Sequence, residues 1–357
     1  MSEPIRVGVV GFGLAGKIFH TAVIQATSGL DLACVVQRSG DDAKNEYPGA
    51  HVARSIEEML GDTSIQLVVI ATPSYSHFEL AQQCLREQRN VVIDKPFTLK
   101  SEEAAELIKV ARERKLLLTA YQSRRWDGDF KTVRQVIAGG ELGRLVSFES
   151  HYDRFRAQPR LGVWRENGGP GGGILFDLGP HVIDQALILF GAPEGIFASI
   201  RVERENAVID DAWDIFLEYP QPPKTVVLRA TLTACTPGPR YLIHGAKGSF
   251  VKWGIDPQED QLKAGMAFDA PGFGEEPESA WGELKICEGL TSPATRRVKT
   301  ERGDYRGFYE NVRDALLGKA ELEVKPEQVW RTTRLIELAR ESSGQGRRLR
   351  VDFSAQP

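Results

Sequence analysis

The chain has 357 residues, 41% hydrophobic and 26% charged, with a formal net charge of −4 at pH 7. That balance belongs to a globular protein with a sizeable core and gives no reason to expect nucleic acid or an anionic membrane as a partner. The length favours two domains over one, and the four cysteines, Cys34, Cys84, Cys235 and Cys287, stand far apart with no CxxC pair, which argues against a zinc site or a disulfide framework.

The opening stretch MSEPIRVGVVGFG does not read as a signal peptide, because its apolar run is short and broken by glycines. No run approaches about 18 apolar residues, so no transmembrane helix is expected and a reducing cytoplasm is the default setting. Strand patterns fall at residues 5–11, 30–36, 67–72, 90–94 and 116–120. Helical patterns lie between several of them, at 16–27, 76–88 and 101–114, with a shorter one at 55–60. Strands that are nearly all apolar are buried on both faces, and their alternation with helices implies a doubly wound parallel sheet. The expected first domain is therefore a Rossmann domain over residues 1–122.

Gly11-Phe12-Gly13-Leu14-Ala15-Gly16 follows the first strand and opens a helix, the context a dinucleotide fingerprint requires. Gly11 serves the tight turn, Gly13 lets the backbone approach a pyrophosphate, and Gly16 permits close helix–strand packing. The free N–H groups of the helix start then face the anion. An NAD site usually carries a carboxylate about 20 residues further on. Here the second strand ends in Gln37-Arg38-Ser39, with Asp41 and Asp42 only later. Arg38 can pair with a 2′-phosphate and Ser39 can donate to it, so NADP is favoured, with NAD the other candidate. Thr72 and Pro73, at the end of the third strand, fall on the same C-terminal edge and are expected to line the cofactor. His77, in the first turn of the next helix, either touches it or lies at the surface.

VVIDKPFTL, residues 91–99, runs a buried strand into Asp94-Lys95-Pro96. Proline cannot continue a strand interior and biases the residue before it towards an extended conformation. Lys95 is thus delivered to the edge that holds the cofactor. Arg124, just past the last strand of this domain, is a candidate to reach the same region.

Beyond residue 122 the pattern changes. A helix at 128–138 is followed by β-rich stretches at 145–155, 196–205, 212–219, 225–234 and 240–245, several with apolar and polar residues alternating. Residues 265–279 read as loop, and helices at 305–317 and 326–342 close the chain. The expectation is an α+β domain over residues 123–357, with a large, mainly antiparallel open sheet. Tyr152 and Asp153 alternate along the first of its strands, so only one of them can face a site. In GGGILFDLGPHVIDQALILFG, Asp177, His181 and Asp184 share one helical face. Pro180 is tolerable in a first turn, which puts Asp177 and His181 at a helix start beside a glycine-rich loop. Asp184 reads as structural, as do His20, His151 and His244. The rest of the segment supplies core.

Taken together, GFGLAG, VVIDKPFT, YQSRRWDGDF (121–130) and GGGILFDLGPHVID resemble the Gfo/Idh/MocA oxidoreductase family across nearly the whole chain. The family's usual Glu-Lys-Pro is Asp94-Lys95-Pro96 here, a conservative departure. The Arg-Ser after the second strand and the Arg-Arg-Trp-Asp block are closest in look to the NADP-preferring scyllo-inositol dehydrogenases. The resemblance implies hydride transfer between NAD(P) and a secondary alcohol or ketone of a cyclic polyol or sugar. His181 would take or return the hydroxyl proton, Lys95 would donate to the reacting oxygen, and Asp177 would orient substrate hydroxyls or His181. Trp164 and Arg165 would lie near cofactor and substrate. No metal is needed. A homodimer or homotetramer, formed through the exposed sheet face, is expected. Two other readings stand beside this one. A non-catalytic dinucleotide-binding sensor would be expected to lose Lys95 or His181, and both are present. A bound, cycling cofactor could instead serve hydrolysis or elimination.

Overall fold

The computed structural model describes residues 3–160, 162–287 and 293–357. The chain divides into two compact units, one of Met1–Ser123, Tyr305–Thr333 and Gln356–Pro357, the other of Arg124–Asp304 and Arg334–Ala355.

The first unit is a six-stranded parallel sheet made of β1 (Ile5–Val10), β2 (Leu30–Val36), β3 (His51–Ala53), β4 (Leu67–Ile70), β5 (Asn90–Ile93) and β6 (Leu118–Ala120), in the order β3-β2-β1-β4-β5-β6. Every residue of β4, and Val91 to Ile93 of β5, is fully buried, as a sheet covered on both faces requires. The crossovers carry α1 (Ala22–Gln25), α2 (Asp42–Glu46), α3 (Ile56–Leu60), α4 (His77–Arg86) and α5 (Ser101–Arg114). A π-helical stretch, Ala15–Thr21, leads directly into α1, so the single helix expected at 16–27 changes its winding on the way. β3 and α2 were not legible, being three and five residues long. α5 shows local consistency, with Glu102 and Glu103 in its first turn, Arg112 and Arg114 in its last, and a left-handed Lys115 ending it.

The second unit holds a nine-stranded sheet: β7 (Leu145–His151), β8 (Gly195–Arg201), β9 (Ala212–Pro220), β10 (Pro223–Thr231), β11 (Tyr241–Gly245), β12 (Gly248–Lys252), β13 (Gly282–Ile286), β14 (Ala294–Val298) and β15 (Leu349–Arg350). The order is β14-β13-β12-β11-β7-β10-β9-β8-β15, with only β7 and β10 parallel. β12 to β15 are additions to the sequence reading; β14 is almost wholly exposed and so lacks the alternation that marks a strand. On β9 and β10, Ile215, Leu217, Val226, Leu228 and Ala230 are fully buried, while Asp214, Phe216, Val227 and Arg229 point to the more open face. The helices are α6 (Gly128–Ala138), α7 (Ile174–Phe190) and the short α8 (Gln258–Lys263), with α7 packed on β9 and β10.

α9 (Arg306–Leu316) and α10 (Pro326–Gln345) precede the final strand β15. The domain boundary expected after residue 122 left 305–333 with the second domain, but that segment belongs to the first unit. Its aromatic residues explain the placement: Phe308 and Tyr309 lie 4.9 Å and 5.7 Å, centroid to centroid, from Tyr121, and Tyr309 shares a hydrogen bond of 2.7 Å with His20. Among the described residues no helix is long and apolar enough to cross a membrane.

Candidate active site

In the first unit the glycine loop leaves β1 at the C-terminal edge of the sheet. Gly11 has φ +100°, a conformation L side chains rarely adopt, and a Cβ there would stand 2.8 Å from the Ala71 carbonyl oxygen. A Cβ on Gly16 would overlap the Gly11 carbonyl oxygen, whereas one on Gly13 would meet nothing within 4 Å. The outer two glycines therefore close the turn, and the middle one leaves open space against the backbone. That cradle, ahead of a helix start, fits the pyrophosphate of a dinucleotide. Leu14 is 60% exposed, and Phe12 makes an edge contact with Tyr47 at 6.1 Å. At the tip of β2, Arg38 and Ser39 are exposed, and Gln37 holds the loop beyond them by donating to Asp42 (3.0 Å) and accepting from the Ala43 N–H (2.9 Å).

The tips of β4 and β5 are fastened to each other. His77 is only 1% exposed, with Nδ1 2.8 Å from the Pro96 carbonyl oxygen and Nε2 2.9 Å from that of Thr72. It is thus not the surface residue that was one of the two placements the sequence suggested. Burial pulls its pKa down, against the pull of the Asp94 carboxylate. The Thr72 hydroxyl in turn shares a hydrogen bond with Ser76 (2.8 Å), and Ser76 donates to the Pro73 carbonyl (2.8 Å).

Asp94 is buried and accepts the Lys95 backbone N–H (2.7 Å), with His20 Nε2 3.8 Å away. Burial works against its charged form, but His20, Lys95 and His77 outweigh that and hold its carboxyl below the ordinary range. Asp94 is therefore an anion under the turn, whose Lys95–Pro96 peptide is cis, and the Lys95 side chain is half-buried. His20, read as structural, is one wall of this arrangement.

In the second unit the helix that carries Asp177 and His181 begins at Ile174. Asp177 is in its first turn, as expected, but Pro180 and His181 are the seventh and eighth residues, past the expected first-turn placement. The helix runs through the proline because Gly179, just before it, has no Cβ for the ring to strike. The start of α7 is capped by Asp210, whose carbonyl accepts the Ile174 N–H (3.0 Å) and whose carboxylate accepts that of Leu175 (2.8 Å). A Cβ on Gly173, at φ +85°, would overlap this carboxylate. Sequence reading missed Asp210; its only signal was an acid just before β9, far along the chain from the helix it caps. Arg165, stacked on Trp164 at 4.6 Å, places Nε 3.6 Å from Asp177. The Gly173 N–H, bonded to the Arg165 carbonyl at 2.8 Å, ties that loop to the helix start. His181 is 5% exposed, one turn beyond Asp177 on the same face. Asp184, on the next turn, is taken by a bidentate pair with Arg125 at 2.6 and 2.8 Å.

Arg124 was expected to reach the cofactor, and one of Tyr152 and Asp153 to face a site; in the structure each of the three has partners within the second unit. Arg124 is buried within the second unit, donating to Asp127 (3.3 Å) and Glu259 (2.5 Å). Tyr152 is fully buried, its ring facing the guanidinium groups of Arg124, Arg154 and Arg240 at 5.3, 5.4 and 4.8 Å. Asp153 accepts the Gly238 N–H (2.9 Å) and lies 3.5 Å from His151. The reason is backbone routing: beyond β7, Tyr152 and Arg154 keep bonding to Arg229 and Thr231, so the alternation expected at this site continues as packing. Among the described residues no group of three His, Cys, Asp or Glu side chains could hold a metal ion.

A sequence model described as "Oxidoreductase family, NAD-binding Rossmann fold" matches residues 5–122, and one described as "Oxidoreductase family, C-terminal alpha/beta domain" matches residues 134–352. The chain is 39% identical over 343 residues to the uncharacterized oxidoreductase YdgJ of Escherichia coli, covering 96% of this chain and 97% of the relative. It is 33% identical over 350 residues to the scyllo-inositol 2-dehydrogenase (NADP(+)) IolW of Bacillus subtilis, covering 98% and 97%. Among solved structures, that of the oxidoreductase yvaA from Bacillus subtilis superposes with a TM-score of 0.94 at 33% identity, over 98% of this chain and 99% of that one. With both parts of the chain matched and the glycine cradle in place, the protein belongs to the Gfo/Idh/MocA oxidoreductase family and carries its NAD-binding Rossmann fold.

Proposed function

We propose that the protein is an NADP-preferring dehydrogenase or reductase that interconverts a secondary alcohol and a ketone on a cyclic polyol or sugar. The observation that carries this reading is Lys95, at the same sheet edge as the glycine cradle, with its backbone N–H on the buried Asp94 and the next carbonyl, of Pro96, on the buried His77. A nicotinamide dinucleotide, when bound, accepts or returns a hydride. The other requirement is a proton at the reacting oxygen, and we assign it to His181, with the Lys95 ammonium donating to that oxygen and stabilising charge as it develops. Asp177, beside Arg165, orients substrate hydroxyls. A polyol offers many hydroxyl groups, and the acid, cation and imidazole of this set answer them with directed hydrogen bonds. The likeness to a relative named scyllo-inositol 2-dehydrogenase (NADP(+)) supports both the substrate class and the cofactor. The exposed free thiols of Cys235 and Cys287 fit a reducing cytoplasm. The open sheet face, with Phe197, Val227 and Phe216, suits self-association into a homodimer or homotetramer.

The test is a steady-state screen at the reduced-nicotinamide absorbance band, crossing NADP⁺ and NAD⁺ with inositol isomers, glucose, xylose and other polyols. Turnover of a cyclic polyol with NADP⁺ is expected, and Lys95→Ala is expected to lower kcat by about 10²–10³-fold. Tight dinucleotide binding without turnover on any of them would sink the dehydrogenase reading in favour of a sensor.

A further inference from the structure

We propose that Arg54 is a positioning residue that sets the preference for a 2′-phosphate. This rests on the NADP reading above and adds a residue to it. Arg54 follows β3 directly, on the C-terminal edge of the sheet, beside the tip of β2 with which β3 pairs in parallel (Val36↔Ala53). Its guanidinium closes the loop that carries Arg38 and Ser39. Nη1 donates to the Gln37 carbonyl (3.1 Å) and the Gly40 carbonyl (2.6 Å), and Nη2 donates to Asp41 Oδ1 (2.7 Å). Two consequences follow. The loop backbone is fixed on both sides of Arg38-Ser39 by one rigid fork. The one carboxylate two residues beyond Ser39 is neutralised, while Asp42, the next, is held by Gln37. Among the described residues Arg38 has no ion pair, so the tip of β2 presents one uncommitted cation and no free anion. A 2′-phosphate carries about two negative charges, and an uncancelled Asp41 beside it would oppose binding, whereas the bare 2′-hydroxyl of NAD would be nearly indifferent. Arg54 therefore acts on cofactor choice through Asp41 and the loop, without touching the cofactor itself.

The experiment measures NADP⁺ and NAD⁺ binding by calorimetry at low salt, where exposed charges are least screened. Folding of each variant is checked by thermal melting. Arg54→Ala is expected to weaken NADP⁺ by about tenfold or more and NAD⁺ by less than about threefold, the signature of losing a charge term and not the fold. Adding Asp41→Asn to that variant is expected to restore most of the NADP⁺ affinity. Arg54→Lys keeps the charge but not the fork and should fall between. Asp41→Asn alone should change little, because its charge is already cancelled. Equal weakening of both cofactors by Arg54→Ala, or no restoration by Asp41→Asn, would overturn the inference and leave Arg54 a simple loop tie. Should Arg54→Ala not fold, a tenfold or greater gain in NADP⁺ affinity from Asp41→Asn alone overturns it as well, since that charge would then not have been cancelled. The two readings fail separately. Equal affinity of the unaltered protein for NADP⁺ and NAD⁺ sinks the NADP reading and this inference with it. A preference for NADP⁺ that Arg54→Ala leaves intact sinks only the inference.

Discussion

The glycine edge of the first unit and the charged interior of the second solve opposite problems. The edge is built by removal: Gly11, Gly13 and Gly16 lack side chains where the backbone must turn, stay open or pack closely. The interior is built by insertion: Arg124, Arg240, Asp127, Asp129 and Asp256 are all buried, with Arg240 stacked between Tyr152 (4.8 Å) and Tyr241 (4.2 Å). The first needs only local spacing along the chain. The second needs charges that meet from residues over a hundred positions apart. A site made by removal tolerates little addition, and an interior made by insertion tolerates little subtraction.

The largest effect should come from subtraction. Arg240 donates to Ser150 (2.5 Å) and Gln185 (3.0 Å), and its Nε stands 3.5 Å from Asp129, neither of whose carboxylate oxygens has a hydrogen-bond partner among the described residues. Arg240→Met removes the cation beside that buried acid, and is expected to cost about 3–5 kcal/mol in urea unfolding. Adding Asp129→Asn should recover a substantial part, because the uncompensated charge goes with it. If the two losses simply add, the pair is not coupled and the contrast with the edge fails.

The edge should break differently at its three glycines. Gly16→Ala overlaps the Gly11 carbonyl oxygen, so melting temperature and dinucleotide affinity should fall together. Gly13→Ala meets nothing within 4 Å in the protein and should leave melting unchanged while weakening the dinucleotide alone. Equal melting losses for both would contradict the assignment of Gly13 as the open position. These glycines were legible in the sequence because their roles depend on spacing and on a strand before and a helix after. Lys95 was legible for a similar reason, since a proline marks where its strand ends. The same reasoning did not foresee the partners of Arg124, Tyr152 and Asp153, whose side chains meet Glu259, Arg240 and Gly238. No local pattern announces partners so distant. Asp210 was missed for the complementary reason, since it acts on the start of α7, far from its own segment; His20, read as structural, also stands beside Asp94, which its own segment does not announce.

The smallest effect distinguishes the two regions by pH. Asp94, at the edge, is held below the ordinary carboxylate range, whereas Asp256, in the interior, is pushed up to about 6. Burial is the chief cause, reinforced by Asp129, against the backbone N–H groups of Gly128 (2.6 Å) and Gln258 (2.9 Å) that favour its anion. A carboxyl with a raised pKa in the folded state binds its proton more tightly there than in the unfolded chain. Its presence costs nothing below the unfolded value and costs progressively more as pH rises through the folded one. Between pH 5 and pH 7 the added cost is about 1 kcal/mol. Asp256→Asn removes the titration. It also replaces one acceptor by a donor opposite a backbone N–H, so the variant should be less stable than the parent at pH 5. The gap should narrow by about 1 kcal/mol at pH 7. Paired urea titrations at the two pH values read this difference directly, and the constant loss of a hydrogen bond cancels from it. A gap that stays the same would mean that Asp256 is already ionised at pH 5, stabilised by its two N–H donors more than burial and Asp129 oppose it.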